Sequence, residues 1–242
     1  MCPMSKKTIW RSYRILKTTD RKHKGERPPT ERFEHYYTEK PTSSIEVRQA
    51  VFKTKGGIEV AFQTPTGVFS FGHIDRASRA LVEAFHFRPG SLLDIGCGYG
   101  AIGITLKKIY PAIELYMSDI NERAVRYAKV NMKNANVAGT VRHGAHYAPW
   151  EGYVFDTIVS NPPMAAGKAV WTELVESAPR FLKPGGSLQI VAFHRKGGER
   201  VMKTMKAAFG NMAVRVKTGG IWVYESVLAT RNPVEIEGGK EG

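Results

Sequence analysis

Leu92-Leu93-Asp94-Ile95-Gly96-Cys97-Gly98-Tyr99-Gly100 decides how this chain folds. Three apolar residues around one acid read as a buried strand, and glycines spaced Gly-x-Gly-x-Gly follow at once. Glycine permits positive φ and lets a backbone approach a ligand closely. A strand, a glycine-rich turn and then a helix near 101–109 is how an open α/β sheet holds a nucleotide-like group. Asp119 closes the next strand in Tyr116-Met117-Ser118-Asp119-Ile120 and can accept both hydroxyls of a ribose. Asp94 stands two residues ahead of Gly96. This spacing suits a dinucleotide or an adenosyl cofactor, and the choice between them rests on Asn161.

Working outward, strands are predicted at 92–95, 113–117, 141–143, 155–159, 187–193, 213–216 and 221–228. Helices are predicted near 101–109, 122–134, 168–178 and 199–209. Short apolar strands alternating with helices point to a parallel sheet covered on both faces. Lys217-Thr218-Gly219-Gly220 is too short for a crossover, so the last two strands pair antiparallel. Upstream, strands at 47–53 and 58–63 flank Thr54-Lys55-Gly56-Gly57, a hairpin turn. A second turn, Thr64-Pro65-Thr66-Gly67, leads into Val68-Phe69-Ser70-Phe71. A helix near 75–85 has Asp75 as its N-cap, and Pro89-Gly90 ends it. The expected organisation is a basic arm (1–34), a β-rich extension packed on the cofactor domain (35–72), a Rossmann-like domain (73–230) and a frayed Gly- and Glu-rich tail (231–242).

A chain of 242 residues with 42% hydrophobic residues can bury one sizeable core. Its formal net charge of +14 points to a polyanionic partner, most simply nucleic acid. The charge is local. Lys6, Lys7, Arg11, Arg14, Lys17, Arg21, Lys22, Lys24, Arg27 and Arg32 crowd the arm, interleaved with Trp10, Tyr13 and Phe33. Cations with aromatics suit phosphate contact and base stacking. Lys168 and Lys183 are expected to be solvated. Cys2 and Cys97 sit where a structural disulfide is not expected, and no secretory h-region follows Lys6 and Lys7, so a reducing cytoplasmic setting is expected. No apolar run approaches a membrane span, and no metal is expected.

Asn161-Pro162-Pro163-Met164 leaves the strand that begins at Tyr153. Neither proline can donate a backbone hydrogen bond, and each fixes its own φ. The residue before each proline is pushed toward extended geometry. The result is a stiff loop offering one amide side chain and bare carbonyls at the ligand-binding end of the sheet. Such a loop suits a flat group bearing N–H donors, such as the exocyclic amine of a nucleobase.

These residues together resemble a class I S-adenosylmethionine-dependent methyltransferase over roughly 67–230. Asp94–Gly100 is similar to the family's cofactor loop and Asp119 to its ribose acid. Asn161-Pro162-Pro163-Met164 resembles the motif of the branch that methylates amide or exocyclic amino nitrogens. Phe181-Leu182-Lys183-Pro184-Gly185-Gly186 looks like the turn before the family's fifth strand, and Gly219-Gly220 suits its reversed seventh strand. His35-Tyr36-Tyr37-Thr38-Glu39-Lys40-Pro41 and Gly67-Val68-Phe69-Ser70-Phe71-Gly72 narrow the resemblance to small-subunit (16S) ribosomal RNA guanine-N2 methyltransferases in their short, single-domain, archaeal-type form.

The resemblance implies a seven-stranded, mostly parallel sheet with an antiparallel last strand. It implies S-adenosylmethionine held by Asp94, Gly96, Cys97, Gly98, Gly100, Asp119, Ile120, Ala145, His146 and Asn161, with Phe69 or Phe71 against the pocket. It implies catalysis at Asn161, Pro162, Pro163 and Met164. From their charge and placement, Lys6, Lys7, Arg11, Arg14, Lys17, Arg21, Lys22, Lys24, His194, Arg195 and Lys196 are expected to contact RNA. The expected partner is ribosomal RNA or the small ribosomal subunit, with no membrane partner and a monomer favoured. Two positions depart from the pattern. Ala145 stands where the family carries an acid for the adenine amine, so a backbone carbonyl, His146 or water takes that bond. Met164 stands where an aromatic often stacks on the target base, which leaves guanine N2 and cytosine N4 both open. A protein glutamine methyltransferase and a non-catalytic RNA-binding assembly factor are the competing readings.

Overall fold

The computed structural model describes residues 38–230. The arm cations from Lys6 to Arg32, His35 to Tyr37 and the tail 231–242 lie outside the described residues. A two-stranded antiparallel hairpin comes first, β1 (Val47–Lys53) and β2 (Glu59–Pro65). Helix α1 (Arg76–Glu83) follows. The alternating part then runs β3 (Ser91–Ile95), α2 (Ala101–Ile109), β4 (Glu114–Asp119), α3 (Glu122–Asn134), β5 (Thr140–His143), β6 (Phe155–Ser160) and α4 (Lys168–Ser177). It closes with β7 (Leu182–Phe193), α5 (Gly198–Phe209), β8 (Ala213–Thr218) and β9 (Ile221–Val227).

The strands from β3 onward form one seven-stranded sheet in the order β5-β4-β3-β6-β7-β9-β8. The pairs β3–β4, β4–β5, β3–β6 and β6–β7 are parallel, whereas β9 runs antiparallel to both β7 and β8. The order therefore reverses at β3, with β4 on one side and β6 on the other. That reversal opens a crevice at the carboxyl ends of β3 and β6. Every residue of β3 is buried, as a central parallel strand requires.

Side chains pack on both faces. Leu81, Ile104, Leu106 and Met117 lie in one core, and Trp150, Ile158, Val175 and Val201 in the other. The hairpin joins the first core through Phe52, Val60 and Phe62. A lone two-stranded hairpin is marginal in water. Burying each phenylalanine stabilises it by about 1.5–3 kcal/mol. Asn131 of α3 adds a polar tie: its amide bonds Gln63 N and O at 2.8 and 3.0 Å, and Tyr99 O at 2.9 Å.

Most boundaries fall within two residues of expectation, and two differences have a clear physical reason. β2 runs on through Thr64 and Pro65, which pair with Arg48 and Val47; proline is tolerated there because it ends the strand. Residues 182–186, expected as a turn, begin the 12-residue β7 instead. Leu182 pairs with Phe155, and the register shifts before Ser187 pairs with Thr157. Gly186 allows this bulge, since a Cβ there would lie 3.0 Å from Asp156 O and 3.1 Å from Phe155 O.

Candidate functional site

A cavity opens at the crevice between β3 and β6. Gly96, Cys97 and Gly98 wall it from the β3 end, Asp119 and Ile120 from the β4 end, and Asn161, Pro162 and Pro163 from the β6 end. Val68, Phe69 and Ser70 cover it from the segment after the hairpin, and Val170, Trp171 and Leu174 close it from α4.

The glycines divide by what a side chain would meet. At Gly96 (φ +70°) a Cβ would have nothing within 4 Å, and at Gly98 (φ +57°) only Val68 Cγ1 at 3.9 Å. These two leave an open cradle that a ligand can approach. Gly100 (φ +95°) does not line the cavity; a Cβ there would lie 2.5 Å from Ile104 Cδ1. Its glycine is needed to start α2, not to admit a ligand.

Asp119 is half-buried and aimed by its neighbours: Oδ2 accepts from Gly98 N at 2.8 Å and Oδ1 from Asn121 N at 2.9 Å. Asn121, not Asp119, caps α3 by accepting from Ala124 N, so the Asp119 carboxylate is spared that duty. A carboxylate has about four acceptor sites. Acceptor capacity therefore remains for hydroxyl donors, as a ribose requires. Burial pushes the Asp119 carboxyl up, against the pull of the Asn121 and Gly98 N–H groups and His143.

Asp94 is not on the wall. It is buried beneath the loop, with Oδ2 accepting from Gly103 N at 2.9 Å. Burial raises its carboxyl to about 7, opposed by the Gly103 N–H and reinforced by the charge of Asp119. Burial, then Asp119 and Asp94, pushes the Cys97 thiol well up, so it stays a neutral wall group and not a nucleophile. The folded state holds the Asp94 proton more tightly than the unfolded chain does. Its stabilising contribution is full below about pH 4 and is lost as pH rises through about 7. Urea melts of Asp94→Asn against the parent chain are expected to converge or cross between those limits, the variant gaining on the order of 4 kcal/mol in relative stability. A difference that does not move with pH would overturn this assignment.

Asn161 is clamped from one side. Its Nδ2 donates to Asp75 Oδ2 at 3.0 Å and to Ser78 Oγ at 3.1 Å. A carboxylate only accepts, which fixes which end of the amide faces it. With both Nδ2 hydrogens engaged, Oδ1 is the atom Asn161 has to offer the cavity. Asp75 caps α1, as the sequence predicts, but its hold on Asn161 is not readable there.

The remaining expected residues divide. Phe69 lines the cavity and Phe71 does not; the Arg48 guanidinium covers the Phe71 ring at 4.7 Å. His146 lines the cavity in a left-handed conformation (φ +43°), with Nδ1 at 3.5 Å from Glu173 Oε2, whereas Ala145 is buried off the wall. Met164 turns away from the cavity, and a Cβ on Gly197 would lie 2.6 Å from its Cε. The His194 ring stacks on Trp222 at 3.6 Å and its Nδ1 bonds Tyr224 OH at 2.9 Å, so it is committed to packing. Arg195 and Lys196 are exposed beside it. Lys183 pairs with Asp156 at 2.7 Å, in place of the solvated role expected for it.

A glycine cradle, a ribose-type acid and a proline-stiffened amide at the switch point of a seven-stranded sheet define a class I methyltransferase fold. The chain belongs to the methyltransferase small domain family, whose model matches residues 59–225. It is 29% identical over 197 residues to the uncharacterised protein YbxB of Bacillus subtilis, covering 80% of this chain and 98% of that one. It is 35% identical over 173 residues to the ribosomal RNA small subunit methyltransferase C of Photorhabdus laumondii, covering 69% of this chain and 50% of the relative. Among solved structures it resembles a T. thermophilus 16S rRNA N2 methyltransferase in complex with AdoMet and guanosine, with a TM-score of 0.66 and 24% identity over 78% of this chain and 52% of that one. The chain thus spans about half the length of these ribosomal RNA methyltransferases. Among the described residues no helix is long and apolar enough to cross a membrane.

Proposed function

We propose that this protein transfers a methyl group from S-adenosylmethionine to the exocyclic amine of a base in small-subunit ribosomal RNA. The observation that carries the reading is the clamped Asn161 amide beside the open glycine cradle. Gly96, Gly98 and Asp119 would hold the donor, with Phe69 and His146 on the same wall. When bound, S-adenosylmethionine supplies a sulfonium methyl group that passes to the nitrogen as the carbon–sulfur bond breaks, leaving a neutral thioether, and the methylated amine sheds one proton to water.

The chain's own residues prepare the nitrogen. An exocyclic amine is a weak nucleophile because its lone pair is delocalised into the ring. Asn161 Oδ1 and the Pro162 carbonyl would accept its two hydrogens, which favours a pyramidal nitrogen with its lone pair directed at the methyl group. As positive charge grows on nitrogen, both acceptors bind it more strongly, which is transition-state stabilisation. Position 164 is filled by a methionine turned onto Gly197, so the reading keeps both guanine N2, the atom named for the similar T. thermophilus enzyme, and cytosine N4 as acceptors.

RNA as the polymer is supported by the net charge of +14 and by exposed cations at the carboxyl end of the sheet. Arg195 and Lys196 follow β7, Lys217 lies near the end of β8, and Arg76 begins α1 beside Asp75. The basic arm would extend this footprint, and a cytoplasmic setting follows from a ribosomal substrate. The deciding experiment is mass spectrometry of ribosomal RNA nucleosides from cells with and without the protein. One methylated base is expected to disappear, identifying ring and atom together. An unchanged nucleoside profile would overturn the ribosomal reading.

A further inference from the structure

Asp75 Oδ2 holds three donors. Ala77 N and Ser78 N reach it at 2.9 Å each, the ordinary capping bonds of α1. The third donor is Asn161 Nδ2 at 3.0 Å, 86 residues along the chain. The cap is complete without that third bond, so the bond serves Asn161. We propose, resting on the methyl-transfer reading above, that Asp75 is a positioning residue whose negative charge strengthens Asn161 Oδ1 as an acceptor and confines the site to groups that present hydrogen.

Two physical steps support this. First, orientation: flipping Asn161 would set Oδ1 against the Asp75 carboxylate, acceptor against acceptor, while Ser78 Oγ at 3.1 Å takes the second Nδ2 hydrogen. The amide is therefore locked with its oxygen outward. A substrate carbonyl brought to the same place would meet another acceptor and be rejected; an amine would be bound. Second, polarisation: an amide whose N–H bonds an anion shifts electron density toward its oxygen, and hydrogen bonds in a chain strengthen one another. The charge thus acts on the developing cation through one side chain, without touching the substrate.

Asp75→Asn separates charge from geometry. Asparagine caps helices about as well as aspartate, and its Oδ1 still accepts from Ala77, Ser78 and Asn161. Small ribosomal subunits from cells lacking the protein, with labelled S-adenosylmethionine, serve as substrate for the full chain. Asp75→Asn is expected to lower kcat by roughly 10- to 100-fold. KM, the melting temperature and the affinity for S-adenosylhomocysteine should stay at parental values. Ser78→Ala, which leaves the carboxylate in place, is expected to lower kcat by only a few fold. Asp75→Asn with parental kcat would overturn the charge role while leaving the methyltransferase reading intact. A parent chain that neither binds S-adenosylhomocysteine nor transfers methyl would overturn both. Should Asp75→Asn fold poorly, the ¹⁵N spectrum of the parent decides: an Asn161 side-chain amide exchanging with water as fast as surface asparagines would sink the clamp, and a slowly exchanging one would uphold it.

Discussion

Asn161→Ala is expected to lower kcat by about 10²–10³ while leaving the Kd for S-adenosylhomocysteine within about twofold. The size follows from what alanine removes. Of the groups at the carboxyl end of β6, Asn161 contributes the acceptor fixed in direction by two bonds, to Asp75 and Ser78. Removing one preorganised electrostatic partner of a developing charge costs that much where it has been measured in enzymes. Cofactor binding should be spared because the glycine cradle follows β3 and Asp119 ends β4, and the hydrogen bonds of the Asn161 amide run to Asp75 and Ser78 at the start of α1 instead. Asn161→Asp gives the complementary test. It retains an oxygen toward the cavity but sets a carboxylate against Asp75, so like charges meet within hydrogen-bond distance. That variant should lose both activity and thermal stability. Calorimetry with S-adenosylhomocysteine and single-turnover methyl transfer read the two effects separately. Parental kcat in the alanine variant would remove Asn161 from the chemistry.

What is legible in the sequence is what depends on neighbours in the chain. The strands of the parallel sheet are apolar runs between breakers, and Gly96 and Gly98 declare themselves by spacing. Asp75 reads as a cap because its capping partners are two and three residues away. Its bond to Asn161 does not, since nothing local at position 75 points 86 residues ahead. Phe69 and Phe71 look equivalent because two residues on a strand share a face. Ser70 breaks that rule: at φ +65° it turns the chain, leaving Phe69 on the cavity and sending Phe71 beneath Arg48. Gly100 looks like the third ligand-facing glycine, but its neighbour in space is Ile104, one helical turn on. His194 reads as a basic residue open to RNA. Its partners Trp222 and Tyr224 come from β9, which the fold inserts between β7 and β8, an order no local pattern announces.

Asp119→Asn is expected to raise the Kd for S-adenosylhomocysteine by about 10²–10³, the largest binding effect of any single change in the site. Two hydrogen bonds from ribose hydroxyls to a charged acceptor are worth about 1.5–3 kcal/mol each. Asparagine keeps the shape but offers only one oxygen. Its Nδ2 must then face either Gly98 N or Asn121 N, donor against donor, where Asp119 now accepts from both. The loss has a pH signature in the parent chain too. Burial raises the Asp119 carboxyl, so affinity should fall as pH drops toward that raised value, sooner than for an exposed aspartate. A structural role for Asp119 predicts a different pattern from a ligand role. Its charge is one of the influences holding the Asp94 proton. In Asp119→Asn that charge is gone, so the upper end of the pH range over which Asp94's stabilising contribution is lost should move down, while the lower end, set by the unfolded chain, stays. The cofactor defect should persist at every pH. If the variant bound S-adenosylhomocysteine with parental affinity and differed only in its melting curve, Asp119 would be a prop for the Gly98 turn and the ribose would be held elsewhere.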